Sequence, residues 1–97
     1  MAYEIRFAAS AKRHLQEFSV RERAVIIAAI ETQLSHEPFV ETRNRKRLRP
    51  NPIAPWELRV GNMRVFYDVE QSAIVTILAI GAKRGNRLCL GGEEIEL

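Results

Sequence analysis

No segment constrains the fold of this chain more than residues 56–67, Trp-Glu-Leu-Arg-Val-Gly-Asn-Met-Arg-Val-Phe-Tyr. Trp56, Leu58 and Val60 alternate with Glu57 and Arg59, and Met63, Val65 and Tyr67 alternate with Arg64 and Phe66. A period of two belongs to a strand with one face against a core. Only Gly61 and Asn62 separate the two runs, and both tolerate the positive φ of a two-residue hairpin turn. That turn sets the register: Val60 faces Met63, Arg59 faces Arg64, Leu58 faces Val65 and Trp56 faces Tyr67. The Trp56, Leu58, Met63, Val65 and Tyr67 face then meets the core, and Glu57, Arg59, Arg64 and Phe66 are expected to look out from the other side. Two arginines thereby oppose each other at about 5 Å between Cβ atoms, an arrangement that costs stability by itself. A planar, permanently charged fork that donates two hydrogen bonds suits phosphate oxygens, so this outer face is the first candidate for a site. The competing reading is a surface ion network completed by Glu57, although exposed pairs contribute only about 0–1 kcal/mol.

The remaining elements follow from the same kind of signal. Tyr3, Ile5 and Phe7 alternate with Glu4 and Arg6, which predicts a strand over residues 2–8. Ser10 suits an N-cap, and Ala11, Leu15 and Phe18 then share one face of a short helix. Ser19-Val20-Arg21-Glu22 reads as a capping box opening a second helix. Ala24, Ile26, Ile27, Ile30 and Leu34 form its apolar stripe, and Pro38 ends it. Residues 43–55 carry Arg43, Arg45, Lys46, Arg47 and Arg49, then prolines at 50, 52 and 55, and should run extended across the surface with their charges outward. Ala73 to Ile80, bounded by Ser72 and Gly81, is an unbroken apolar run expected of a central strand, with Lys83, Arg84 and Arg87 beyond its end. The chain is read as one α+β domain over 1–97: an N-terminal strand and two-helix hairpin packed on a mainly antiparallel, four-stranded sheet.

With 97 residues, of which 46% are hydrophobic, the chain can build one core and not two. No apolar run approaches the roughly 18–20 residues of a membrane span, and the N-terminus enters its strand pattern without the features of a signal peptide. A cytoplasmic protein is expected. The single Cys89 excludes an internal disulfide and, without suitably spaced companions, does not suggest a zinc site; no cofactor is implied. The net charge of +3 conceals an asymmetry: residues 43–87 hold ten basic and three acidic side chains. Such a concentrated field steers phosphates, making nucleic acid the first partner to consider. His14 and His36 are read as surface histidines, Tyr67 as core and Cys89 as a small apolar filler. Glu93, Glu94 and Glu96 form an acidic tail expected to stay solvated.

Taken together, Lys46-Arg47-Leu48, the run from Trp56 to Tyr67, and Ile80-Gly81-Ala82-Lys83-Arg84 resemble the RelE/ParE superfamily of toxins from type II toxin–antitoxin pairs, over residues 3 to about 90. The resemblance implies the RelE fold, a cognate antitoxin as partner and, for the favoured RelE-like branch, cleavage of mRNA on the ribosome without a metal. In that reaction the ribose 2′-oxygen attacks the adjacent phosphate, leaving a cyclic phosphate and a 5′-hydroxyl. The resemblance places Arg64 at the phosphate, Arg59 at a basic position of the second strand, and Lys83 or Arg84 at the cationic position after the last strand. Glu57 would offer a base, and Arg45, Lys46, Arg47, Arg49 and Arg87 would bind RNA along the rim. There are two departures: Glu57 stands where a RelE-like enzyme can carry lysine, and the C-terminal tyrosine of active members has no clear counterpart near Cys89 or Leu90. A ParE-like inhibitor of DNA gyrase and an inactive relative therefore stand as alternatives.

Overall fold

The run of Ile and Val that ends at Ile80 continues through Arg84 as the central strand of the sheet, and the rest of the molecule is organised along its two edges. The computed structural model describes residues 2–95. In chain order the elements are β1 (Glu4–Phe7), α1 (Ala9–Leu15), α2 (Val20–Leu34), β2 (Arg45–Arg47), β3 (Trp56–Val60), β4 (Met63–Glu70), β5 (Ile74–Arg84), β6 (Arg87–Leu90) and β7 (Glu93–Ile95). The sheet runs β2-β3-β4-β5-β6-β7, and β1 joins it parallel to β5. β4 occupies one edge of β5 from Ile74 to Ala82. The other edge is divided: β1 pairs with residues 74–77 and β6 with residues 81–84. The class is therefore α+β as the pattern predicts, with seven strands where four were expected. The added strands are β2, inside the basic connection, and the β6–β7 hairpin.

The hairpin register is the one its turn dictates, Trp56 to Tyr67, Glu57 to Phe66, Leu58 to Val65, Arg59 to Arg64 and Val60 to Met63. One face of the sheet meets the helices, burying Ile26, Ile30 and Leu34 of α2 against Trp56, Leu58, Val65, Tyr67, Val75, Ile77 and Ile80. The apolar stripe of α2 is narrower than its sequence suggests, since Ala24 is exposed and Ile27 is 37% exposed. Ser19 and Glu22 form the reciprocal capping box. α1 begins one residue before Ser10, with Ala8 as its N-cap and no side chain capping it. Ser10 is instead spent on the sheet, donating to the Leu78 carbonyl at 2.6 Å. Among the described residues no helix is long and apolar enough to cross a membrane.

The opposite face differs from the expectation most. Phe66 is fully buried and Glu57 only 8% exposed, because a second apolar cluster covers part of that face. Ala54, Phe66, Ala79, Leu88 and Leu90 form it, with Leu48, Ile53, Leu78 and Ile95 packed around them. Leu48, Ile53 and Ala54 come from the proline-rich connection, which Asn51 folds by accepting the N–H groups of Ile53 and Ala54 at 2.8 and 3.1 Å. Leu88, Leu90 and Ile95 come from the β6–β7 hairpin. The acidic segment is thus tied down at Glu93 and Glu94 as part of β7, with exposed side chains; Glu96 lies outside the described residues.

Tyr67 closes the first core: its ring stacks on Trp56 with centroids 5.9 Å apart, and its hydroxyl donates to the buried carbonyl of Pro38 at 2.7 Å. Burial pushes the phenol pKa up, so the hydroxyl stays a donor throughout the physiological range. Tyr67→Phe keeps the packing and strands that carbonyl. It should cost about 1–2 kcal/mol in urea unfolding, with the m-value unchanged.

Candidate phosphate-binding face

Because antiparallel partners share a face, register alone sorts the basic residues. Lys46 pairs with Glu57, Glu57 with Phe66, Arg59 with Arg64, and Arg64 with Gly81. Lys83 lies two residues beyond Gly81 on the same strand and shares its face. Lys46, Glu57, Arg59, Arg64 and Lys83 therefore stand on one side of the sheet, opposite the helices. Gly81 lies within this group and is closely covered: a Cβ there would run into the Leu90 side chain and the Cys89 carbonyl. The approach of β6 depends on that missing side chain, and Phe66, Ala79, Leu88 and Leu90 of the apolar cluster share this face with the charged residues.

The two arginines are held differently. Arg59 is ion-paired through Nε to Glu57 Oε1 at 3.2 Å, and the Glu57 side chain is only 10% exposed. Arg64 folds back onto the turn, donating through Nη1 to the carbonyls of Gly61 at 2.7 Å and Met63 at 2.9 Å. A guanidinium has five N–H donors in a fixed fork, so these contacts orient it and leave donors for an anion. The repulsion implied by opposing Arg59 and Arg64 is relieved locally, by a carboxylate for one and by carbonyl dipoles for the other.

Other candidates lie elsewhere. Arg84 is in β5 rather than beyond it, and alternation turns it to the helix side. There it stands near Glu22, whose carboxyl is held below its ordinary pKa first by the Ser19 N–H and more weakly by the Arg84 charge. Arg45 reaches the other way from Lys46, donating to the Gln33 carbonyl at 2.6 Å and the Val40 carbonyl at 3.0 Å. Arg47 lies over the Trp56 ring, 5.7 Å from its centroid. Arg87 pairs with Glu94 at 3.3 Å on the helix side of the β6–β7 hairpin, and Arg49 is exposed in the proline-rich connection. The structure brings together Lys46, Glu57, Arg59, Arg64 and Lys83, and it does not bring Arg45, Arg47, Arg84 or Arg87 to that face.

The sequence reading missed Ser10 and His14, which meet the backbone of β5; His14 Nδ1 accepts the Ile80 N–H at 3.2 Å. Their signal was present, two polar residues four apart on a short helix. Neither histidine nor tyrosine stands on the cationic face among the described residues: Tyr67 is in the core, Tyr3 packs near Phe39 and His36 is exposed beyond α2. Among the described residues no three His, Cys, Asp or Glu side chains gather to hold a metal ion.

No family model matches the chain, and no curated protein sequence matches it. Its fold does have solved counterparts. A chain of the RelBE2 toxin–antitoxin complex from Mycobacterium tuberculosis is similar with a TM-score of 0.74 and 27% identity, covering 86% of this chain and 93% of that one. A chain of the archaeal RelE–RelB complex from Pyrococcus horikoshii OT3 is similar in fold, with a TM-score of 0.67 and 20% identity, covering 88% of this chain and 98% of that one.

The sorting of charges by face is open to direct measurement. Lys83→Ala should weaken binding of a fluorescent single-stranded oligoribonucleotide and lower the slope of log K against log salt by about 0.7, the value for one lost phosphate contact. Arg84→Ala, one residue on, should leave both affinity and slope close to wild type in the same anisotropy titration.

Proposed function

Because the chain belongs to the RelE/ParE superfamily and has the fold of RelE, we propose that it is the toxin of a type II toxin–antitoxin pair and a ribosome-dependent mRNA endoribonuclease. The observation that carries the reading is the register opposing Arg59 and Arg64 on the face shared by Lys46 and Lys83. In the proposed reaction the ribose 2′-hydroxyl gives up its proton as its oxygen attacks the neighbouring phosphorus, the bond to the 5′-oxygen breaks, and that oxygen takes a proton from solvent, leaving a cyclic phosphate and a 5′-hydroxyl. Negative charge grows on the non-bridging oxygens, and fixed cations aimed at them stabilise the transition state more than the ground state. Arg64, already oriented by the turn carbonyls, contacts those oxygens. Arg59, Lys46 and Lys83 bind the flanking phosphates, and Glu57 either takes the 2′-hydroxyl proton or serves only to hold Arg59.

An antitoxin partner needs a separate surface. An open groove lined by Phe7, Leu15 and Ile27, with Lys12, Gln16 and Arg23 at its rim, suits an amphipathic segment carrying acidic residues.

One observation favours a second reading. The cationic face carries no tyrosine or histidine among the described residues to protonate a leaving oxygen. A ParE-like inhibitor that binds DNA gyrase would need no such group.

Translation in a purified bacterial system, with message integrity followed by primer extension, separates the readings. Wild type should cut message only when ribosomes are present, and Arg64→Ala should lower the rate by roughly two orders of magnitude, as loss of one transition-state donor does. Intact message in the presence of wild type would remove the endoribonuclease reading, and inhibition of gyrase supercoiling would then support the second.

A further inference from the structure

On its outer edge β5 changes partners in mid-strand. β1 pairs with it as far as Ile77, and β6 begins at Gly81. Between them, Leu78 to Ile80 have no strand beside them on that edge among the described residues, and backbone polar groups left unpaired in a half-buried position are costly. α1 fills the gap with two side chains one helical turn apart. Ser10 Oγ donates to the Leu78 carbonyl at 2.6 Å, and His14 Nδ1 accepts the Ile80 N–H at 3.2 Å. The His14 ring also lies against the β6–β7 turn, so close that a Cβ at Gly91 would sit 2.9 Å from its Cδ2. One imidazole thus touches the point where β5 changes partners and the turn of the hairpin that succeeds β1 there.

We propose that His14 is a positioning residue for the cationic face: by accepting the Ile80 N–H it holds the next residues of β5 in register, and so keeps Lys83 beside Arg64. The proposal rests on the reading of that face as a phosphate-binding surface. Its distance from the face separates it from residues that touch substrate, because His14 acts from the opposite side of the sheet through the backbone of β5.

The contact requires an unprotonated Nδ1. An imidazolium has no acceptor and would turn a donor toward a donor. Burial is the main influence lowering the His14 pKa; Arg13 acts in the same direction and Glu17 opposes them. Those are the charged groups that act on the ring. From β5 and from the β6–β7 turn it meets the Ile80 N–H and Gly91, neither of which titrates. With a folded-state pKa below the ordinary imidazole value of 6.5, the native state binds fewer protons than the unfolded state. The contribution of the contact is complete above the unfolded value and disappears as pH falls through the folded one. Below that point β5 loses its anchor beside Gly81, and the phosphate-binding face loosens.

The test uses fluorescent oligouridylate, which does not titrate between pH 5 and 8, at fixed low salt. Wild-type affinity should fall roughly fivefold from pH 7.5 to pH 5, the equivalent of one hydrogen bond. His14→Asn, whose Oδ1 falls near the position of Nδ1 and does not titrate, should bind like wild type at pH 7.5 and stay flat in acid. His14→Ala should bind at the weak, acid level throughout. In wild type the Ile80 amide nitrogen shift should follow the imidazole titration, a readout that needs no variant. A flat wild-type profile, the same acid loss in His14→Asn, or an Ile80 amide indifferent to the imidazole would each overturn the proposal. Equal binding by Arg64→Ala at pH 7.5 would instead overturn the phosphate-binding reading on which it stands, and the Ile80 shift would still report whether the contact exists.

Discussion

A two-residue turn holds this sheet in register, and a slip of one residue would exchange its faces. Everything that distinguishes the two sides depends on Gly61 and Asn62 setting Val60 against Met63. With that pairing Leu58, Val65 and Tyr67 enter the core under α2, and Arg59, Arg64 and Glu57 share the other face. The pairing extends outward through β5, where Ile80 goes to the core opposite Val65 and Gly81 takes its place beside Arg64. Gly81 then decides how closely β6 approaches, because the space a side chain would need is taken by Leu90 and the Cys89 carbonyl. Core, cationic face and C-terminal hairpin are thus consequences of one turn propagated across neighbouring strands.

The parts legible in the sequence are those set by neighbours a few residues apart. The hairpin needs only its alternation and its turn, and the second helix declares its start through Ser19 and Glu22. What escaped is set by partners distant in the chain. Phe66 alternates as an outward residue and is buried all the same, because Leu88 and Leu90 fold back over it. Lys83 and Arg84 looked equivalent beyond the end of the apolar run; pairing with β6 prolongs the strand and sends them to opposite faces. The Leu88 and Leu90 alternation, followed by Gly91 and Gly92, carried a hairpin signal that the acidic composition of the last residues obscured.

The basic segment from 43 to 49 shows why a count of charges overstates a site. Two of its five basic side chains work on the fold: Arg45 donates to the Gln33 carbonyl near the end of α2 and to the Val40 carbonyl beyond it, and Arg47 lies over Trp56. A guanidinium donates to carbonyls and lies on an aromatic face as readily as it meets a phosphate. Lys46, between them, is the one that β2 turns toward Glu57 and the arginine pair. The division comes from a three-residue strand whose alternation separates structural from available charge.

The parallel pairing of β1 with residues 74–77 has a consequence for biosynthesis. Glu4 of β1 pairs with Ile74 of β5, and the segment between them includes both helices and the whole β3–β4 hairpin. Closing so long a loop is slow compared with forming a hairpin or a helix. The hairpin bearing Arg59 and Arg64 can therefore form while the strand that seats Lys83 is still being made, and the complete surface appears only once β5 has been made and paired. The cationic face is thus assembled in the order in which its strands become available, the β3–β4 hairpin first and the β5 edge after it.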